Sequence, residues 1–262
     1  MNKTLRWLLA LILLAVAATA VYIWVQGPTY RPSPDAPPDV PPLAAAPPAP
    51  ETHYPVPETR EVLPPLEKSD PTLLAALSEV FGKGVRQYVQ PQELARRIVV
   101  TIDNLPRESM SGQLQPHKPV PGKLRTERNG GTGEGLRLAA ANEARYRPYV
   151  LLLEAVDPAA FAAGYQHMYP LFQEAYRNLG YPDKHFNDRL VAVIDHLLQA
   201  PALAEPPALV QPHVFYKFAD PELEKLSTGH KLMLRMGSGN AERVTAKLKA
   251  IRAELTKEAV TR

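Results

Sequence analysis

The sequence predicts a mainly α protein: a single N-terminal transmembrane helix, a proline-rich disordered linker, and a multi-helix globular domain with room for a small β-hairpin. Three observations support this fold class. Residues 7–25 are an apolar run, 14 of the 29 prolines lie within residues 28–65, and apolar residues recur at helical spacing beyond residue 66. The predicted boundaries are a cytoplasmic tail at 1–6, a transmembrane helix at 7–25, an extended linker at 26–65 and a domain at 66–262.

The apolar run from Trp7 to Val25 has the length of a membrane span. At 1.5 Å per residue it reaches about 28 Å, close to the ~30 Å hydrocarbon core of a bilayer. Lys3 and Arg6 precede it and no cation follows until Arg31. The positive-inside rule therefore predicts a single-pass protein of a bacterial inner membrane, with a cytoplasmic N-terminus and a periplasmic C-terminal domain. A cleaved signal peptide is the alternative, because residues 18–20 resemble a cleavage site.

The linker is predicted to be extended because each proline fixes φ and removes a backbone donor. It also lacks the large apolar side chains that a core requires. A polyproline-rich chain advances about 3.1 Å per residue, so this stretch has a contour of roughly 120 Å. Two interpretations stay open: a spacer that holds the domain away from the membrane, or a passive tether.

Composition excludes several classes of function. The chain has no cysteine, which excludes disulfides, thiolate catalysis and thiolate metal sites. A formal net charge of +3 is too small to indicate nucleic-acid binding. No recognised cofactor or metal motif is present, and the glycine-rich stretch at 129–135 lacks the Lys-Ser/Thr of a phosphate-binding P-loop.

Helix starts are indicated by a capping residue followed by proline at Ser69-Asp70-Pro71, Asp157-Pro158 and Asp220-Pro221. Further helices are predicted to begin near Pro91, Phe186 and Ser238 or Asn240. In the last of these, apolar residues at 4-3-4 spacing fit either core packing or a coiled-coil dimer seam. Residues 120–128 and 136–138 are predicted to pair as a hairpin, and residues 214–218 could be extended.

The densest group of chemically versatile side chains precedes and enters the helix near Phe186. The candidate binding residues are His185, Asn187, Asp188, Arg189 and His196, with Tyr149 and Tyr169 as candidate groove walls. His185 and Asp188 have the i,i+3 spacing at which an imidazole and a carboxylate can pair, as a general base requires. Capping and salt bridges on an exposed helix face explain the same residues without chemistry, so no catalytic and no metal-binding residue is assigned.

Several strings resemble an uncharacterised bacterial family, Domain of Unknown Function three-thousand-fourteen. They are IDNLPR (102–107), KPVPG (118–122), ARYRPYV (144–150), YPLFQEAYRNLGYPDKHFNDRLVAVIDHLL (169–198), LVQP (209–212), FADPELEKLSTGHKLMLRMG (218–237) and NAERVTAKLKAIRAEL (240–255). The resemblance implies the same layout of membrane helix, proline- and alanine-rich stretch and domain, and it implies no activity. One departure is His230, where the family favours Gln, which argues against a catalytic or metal role for that side chain.

The sequence leaves the biochemical activity unknown. It favours a non-enzymatic, membrane-anchored periplasmic interaction or scaffold module of the cell envelope. The expected partners are the lipid bilayer, through Trp7–Val25, and an envelope protein or the cell wall; nucleic acid is not expected, and the oligomeric state is left open. The alternative is a hydrolase or transferase of an envelope polymer that uses the His185, Asp188 and His196 region.

Overall fold

A computed structural model describes residues 52–57, 62–128 and 135–257 of the chain. The predicted cytoplasmic tail, the predicted transmembrane helix and most of the predicted linker (26–51 and 58–61) lie outside these residues, as does the glycine-rich loop at 129–134. Among the described residues, no helix is both long and apolar enough to span a membrane.

Eight α-helices dominate the described part of the chain and confirm its mainly helical class. They are α1 (Asp70–Phe81), α2 (Leu94–Asn104), α3 (Asn142–Glu154), α4 (Pro158–Asn178), α5 (Phe186–Leu197), α6 (Pro221–Glu224), α7 (Thr228–Arg235) and α8 (Ser238–Leu255). Short 3-10 turns occupy Leu66–Lys68, Lys83–Gln87 and Gly112–Leu114.

The helix starts with a capping residue and proline form as predicted, with one difference in how they are capped. Asp157 and Asp220 each accept a backbone N–H of the following turn at 2.8 Å. Ser69 instead donates its hydroxyl to the carbonyl oxygen of Leu66 at 2.7 Å. The first turn of α1 is therefore tied back to the preceding 3-10 turn.

Asp70 also fixes the start of α2. Its two carboxylate oxygens accept the N–H groups of Glu93 and Leu94 at 2.8 and 2.7 Å. Glu93 has a left-handed backbone with φ of 51°, which ends the preceding loop and turns the chain into the helix. The same carboxylate thus sits in the first turn of α1 and caps α2.

The predicted hairpin is confirmed, but the sheet is larger than expected. β1 (Thr126–Arg128) pairs antiparallel with β2 (Leu136–Leu138). β3 (Ala208–Val210) and β4 (Lys217–Phe218) extend the order to β1-β2-β3-β4, so the described residues form a four-stranded sheet where the sequence predicted a small hairpin. Helices α3 to α5 separate β2 from β3 along the chain, and a three-residue strand that pairs at long range has no local signal.

The main core lies where α2, α4, α5 and α8 meet. Phe186, at the start of α5, is 0% exposed, and its ring centroid lies 6.1 Å from that of Phe172 and 5.5 Å from that of Tyr176. Ile251 and Leu255 of α8 are buried in the same core. The apolar stripe of α8 therefore packs, through these two residues, within the core of the domain.

Residues 52–57, at the end of the predicted linker, lie against the domain and are called the strap here. Burial alternates along it as on a strand: Thr52, Tyr54 and Val56 are half-buried, whereas His53, Pro55 and Pro57 are exposed. Tyr54 packs against the main core. The strap therefore has an inner side that faces the domain and an outer side that faces solvent.

Candidate functional site

The predicted site residues lie at the two ends of α5. His185, Asn187, Asp188 and Arg189 surround its first turn, and His196 lies in its last. The buried ring of Phe186 anchors the first turn of α5 in the core. Of the polar residues beside it, Arg189 contacts α2, and Asn187 and Asp188 contact the strap.

The Asp188 carboxylate binds the strap mainly through the strap's backbone N–H groups. Its Oδ1 accepts the N–H of Tyr54 at 2.9 Å and the hydroxyl of Thr52 at 3.3 Å, and its Oδ2 accepts the N–H of His53 at 3.2 Å. Both oxygens are therefore engaged by donors of the chain itself. The predicted pairing of Asp188 with His185 is not among the contacts that the carboxylate makes in the described residues.

Asn187 also binds the strap: its Nδ2 donates to the carbonyl oxygen of Tyr54 at 2.8 Å. The side chain is 1% exposed, yet within the described residues its Oδ1 has no hydrogen-bond partner, and the hydroxyl of Tyr165 is in the same state. Burial raises the pKa of Tyr165 well above its ordinary value, so the phenol keeps its proton. Both residues line a pocket of about 350 Å³ that Pro55, Val56 and Pro57 of the strap also line.

Arg189 is turned to the opposite side, toward α2. Its Nε donates to Oδ1 of Asp103 at 2.9 Å and its second terminal nitrogen donates to the Asp103 carbonyl oxygen at 2.7 Å. Arg107 donates to the other carboxylate oxygen at 2.9 Å. Burial, and then the charge of Asp103, raises the pKa of nearby Tyr176 to about 12. Arg189 therefore neutralises a buried carboxylate and joins α5 to α2.

His196 forms a stacked pair with His230 of α7. The ring centroids are 4.1 Å apart and the planes differ by 8°. Nε2 of His196 lies 2.8 Å from the hydroxyl oxygen of Ser227, and Nε2 of His230 lies 2.6 Å from the His196 carbonyl oxygen. Burial first, then His230 and Arg189, lowers the pKa of His196. The predicted partnership of His196 with the start of α5 is replaced by contacts with α7.

Asp195 and the two candidate tyrosines are likewise engaged in local contacts. Asp195 forms an ion pair with Arg252 of α8. Tyr169 donates its hydroxyl to Gln173 at 2.7 Å, and the ring of Tyr149 packs edge-on against Tyr88 with centroids 5.0 Å apart. Tyr169 is thereby brought to the first turn of α5, because the same Gln173 oxygen accepts the N–H of Phe186 at 2.8 Å. Tyr149 contacts residues of other elements.

An open polar pocket of about 400 Å³ does gather part of the predicted group. His185, Asp188 and Arg189 line it, together with Tyr181, Lys184 and the exposed His53. A larger and more apolar groove of about 500 Å³ lies elsewhere, between residues 200–207, β2 and α8, and none of the predicted site residues lines it. Within the described ranges, no group of three or more His, Asp or Glu side chains is placed to hold a metal ion.

A family model described as "Protein of unknown function (DUF3014)" matches residues 94–252, more than half of the chain. The chain belongs to this family. The resemblance in the sequence is thereby confirmed, and the DUF3014 match runs from the first residue of α2 into the last turn of α8. No curated protein and no solved structure matches the chain.

The DUF3014 region contains every predicted site residue, but the fold separates them. Asn187 and Asp188 hold the strap, Arg189 joins the Asp103 ion pair, and His196 joins the histidine stack. The contacts of His185, Tyr149 and Tyr169 in the described residues lie outside these three places. The sequence did not reveal their partners Thr52, Asp103, Ser227 and His230 as site residues. Only Ser227 had a readable signal, since it precedes α7 as a serine cap would. Thr52, Asp103 and His230 make their contacts with residues distant in the sequence or with backbone groups. The spacing of residues along the chain does not indicate such contacts.

Proposed function

We propose that this protein is a non-enzymatic interaction module of the bacterial cell envelope, anchored in the inner membrane by residues 7–25 with its helical domain in the periplasm. The topology rests on the apolar run and on the cations Lys3 and Arg6 before it. The observation that carries the proposal is the state of Asp188. Among the candidate residues, this carboxylate is the one best suited to act as a general acid or base. It accepts hydrogen bonds from three donors of the strap, which is how a carboxylate that binds a peptide segment is used.

The alternative, a hydrolase or transferase of an envelope polymer, is supported by one distance. The 2.8 Å between Ser227 Oγ and His196 Nε2 suits a nucleophile and its base. Against it, Ser227 is 7% exposed and its oxygen accepts the His230 N–H. The neighbouring N–H groups of Thr228 and Gly229 are donated to backbone carbonyls, which leaves neither for an oxyanion.

Site-specific photocrosslinking in cells tests the interaction module. A photoreactive residue at exposed His53, at Phe215 (80% exposed) or at exposed Glu79 samples three separate surfaces. We expect a reproducible adduct with an envelope protein or cell-wall glycan from His53 or Phe215 and none from Glu79. Absence of adducts from all three positions, with the chain stable in the membrane, would contradict the proposal.

Two further experiments separate topology from chemistry. An alkaline phosphatase fusion after Arg262 should be active, and a stable but inactive fusion would reverse the predicted orientation. The double variant Ser227→Ala, His196→Gln should complement a deletion phenotype fully if the protein is not a hydrolase. Loss of complementation at normal protein level and normal adduct formation would favour the enzyme instead.

A further inference from the structure

The strap is held in the manner of a bound peptide. Tyr54 has both of its backbone groups recognised: its N–H by Asp188 at 2.9 Å and its carbonyl oxygen by Asn187 at 2.8 Å. The next two donors toward the N-terminus also reach Asp188. Many peptide-binding proteins recognise an extended backbone and hold alternate side chains in pockets, and here the half-buried ring of Tyr54 packs on the core.

The strap satisfies this groove incompletely. Among the residues that the structure describes, Asn187 Oδ1 and the Tyr165 hydroxyl are buried without hydrogen-bond partners, and an unpaired buried polar atom is destabilising. Val56 lies on the inner side of the strap and lines the same pocket as Asn187 and Tyr165. Its side chain offers neither a donor nor an acceptor. A threonine at that position would bring a hydroxyl, which is both, into the pocket that these two residues line.

We propose that the groove over Asn187 and Asp188 is a peptide-recognition site that the strap occupies as a weak internal competitor. Its external ligand is an extended peptide with an aromatic residue at the Tyr54 position and a hydroxyl residue two positions later. The proposal rests on the proposed interaction function and names the class of partner. A tethered competitor acts at a high effective concentration, so an external peptide binds only if it fits better or the strap is released.

Two peptides that differ by an isosteric change test this in the full-length chain. The labelled probes are THYPVP, the sequence of the strap, and THYPTP, in which threonine replaces valine. The internal competitor is weakened by replacing residues 52–57 with Gly-Ser repeats of equal length, which removes the Tyr54 side chain and the fixed φ of Pro55 and Pro57. By fluorescence anisotropy we expect both probes to bind this variant at least about tenfold more tightly than the unaltered chain, and THYPTP to bind about fivefold more tightly than THYPVP.

Asp188→Ala in the strap-replaced chain should abolish binding of both probes, whereas Glu79→Ala, which removes an exposed carboxylate of α1, should leave it unchanged. Thermal melting establishes that each variant is folded. If Asp188→Ala does not fold, hydrogen exchange in the unaltered chain replaces it: added THYPTP should speed exchange at the N–H groups of His53 and Tyr54.

Equal affinity for THYPVP and THYPTP, or no binding to the strap-replaced chain, would overturn the proposal. Failure here is separable from failure of the proposed function. Photoadducts from Phe215 without adducts from His53 would leave an interaction module standing and remove this groove as its binding site.

Discussion

The guanidinium of Arg189 donates from Nε to Oδ1 of Asp103 over 2.9 Å and from a terminal nitrogen to the carbonyl oxygen of the same residue over 2.7 Å. The Asp103 side chain is 3% exposed, whereas that of Arg107, its other cationic partner, is 56% exposed. A buried carboxylate that loses its principal partner cannot recover hydration. The two arginines therefore differ in how strongly stability depends on them.

Arg189→Ala should lower the free energy of unfolding by about 3 kcal/mol, because within the described residues it leaves a buried carboxylate with the exposed Arg107 as its only cationic partner, beside a long contact of 3.4 Å to the Tyr181 hydroxyl. Arg107→Ala should cost less than about 1 kcal/mol, as expected for an exposed ion pair. Urea denaturation followed by circular dichroism measures both. Equal losses in the two variants would show that Asp103 is more hydrated than its burial indicates.

Stability should fall as the pH falls below about 6.5, the ordinary pKa of histidine. The pKa of His196 is lowered in the fold by burial and then by His230 and Arg189, so the unfolded chain binds a proton that the folded chain resists. The contribution is fully present above the unfolded pKa and decreases until the folded pKa is passed. Urea unfolding at pH 7.5, 6.5 and 5.5 should show a shallower dependence for His196→Gln, whereas exposed His213→Gln should retain it.

Ser227→Ala should destabilise the domain by about 2 kcal/mol. The hydroxyl oxygen caps α7 by accepting the His230 N–H at 3.1 Å, and it also contacts His196 at 2.8 Å. Asp220→Ala removes the cap of the short exposed helix α6 and should cost about 1 kcal/mol or less. Thermal or chemical melts compare the pair, and a Ser227→Ala loss no larger than that of Asp220→Ala would argue against the buried network.

Gly229→Ala should cost about 2 kcal/mol through overpacking. A Cβ at that position would overlap the Leu197 side chain and lie 3.2 Å from the carbonyl oxygen of Leu105. Gly84→Ala is the matched control, because the nearest atom to its Cβ would be 3.9 Å away. Its stability should be unchanged within about 0.5 kcal/mol. A neutral Gly229→Ala would mean that α7 can shift away from α5 without loss.

Local patterns predicted the helices that have clear starts and regular apolar faces. The Asp157-Pro158 and Asp220-Pro221 pairs work because a cap and a proline act within one turn of chain. Helix α3 gave no such signal: Ala141 at its start makes no side-chain cap, and Pro148 lies inside it. Its position is decided by packing against α8, a contact between segments distant in sequence.

The candidate site was predicted in composition but not in arrangement. Asp188 and His196 were correctly singled out as polar residues of α5, but their partners come from the strap and from α7. Residues of one helix can be placed on a wheel, whereas the pairing of Asp103 with Arg189 depends on how α2 and α5 meet. The main donors to Asp188 are backbone N–H groups. Every residue except proline has one, so the sequence gives no sign of which of them will be used.

The strap changes the route by which mechanical tension would reach the domain. A pull on the chain ahead of residue 52 would load the hydrogen bonds at Asp188 and Asn187 before it reached α1, since Thr52 and Tyr54 come first along the chain. The load would enter at the first turn of α5, beside the fully buried ring of Phe186. While the strap is bound, a force applied from the N-terminal side therefore acts first on α5. Once the strap is displaced, the same force acts first on α1.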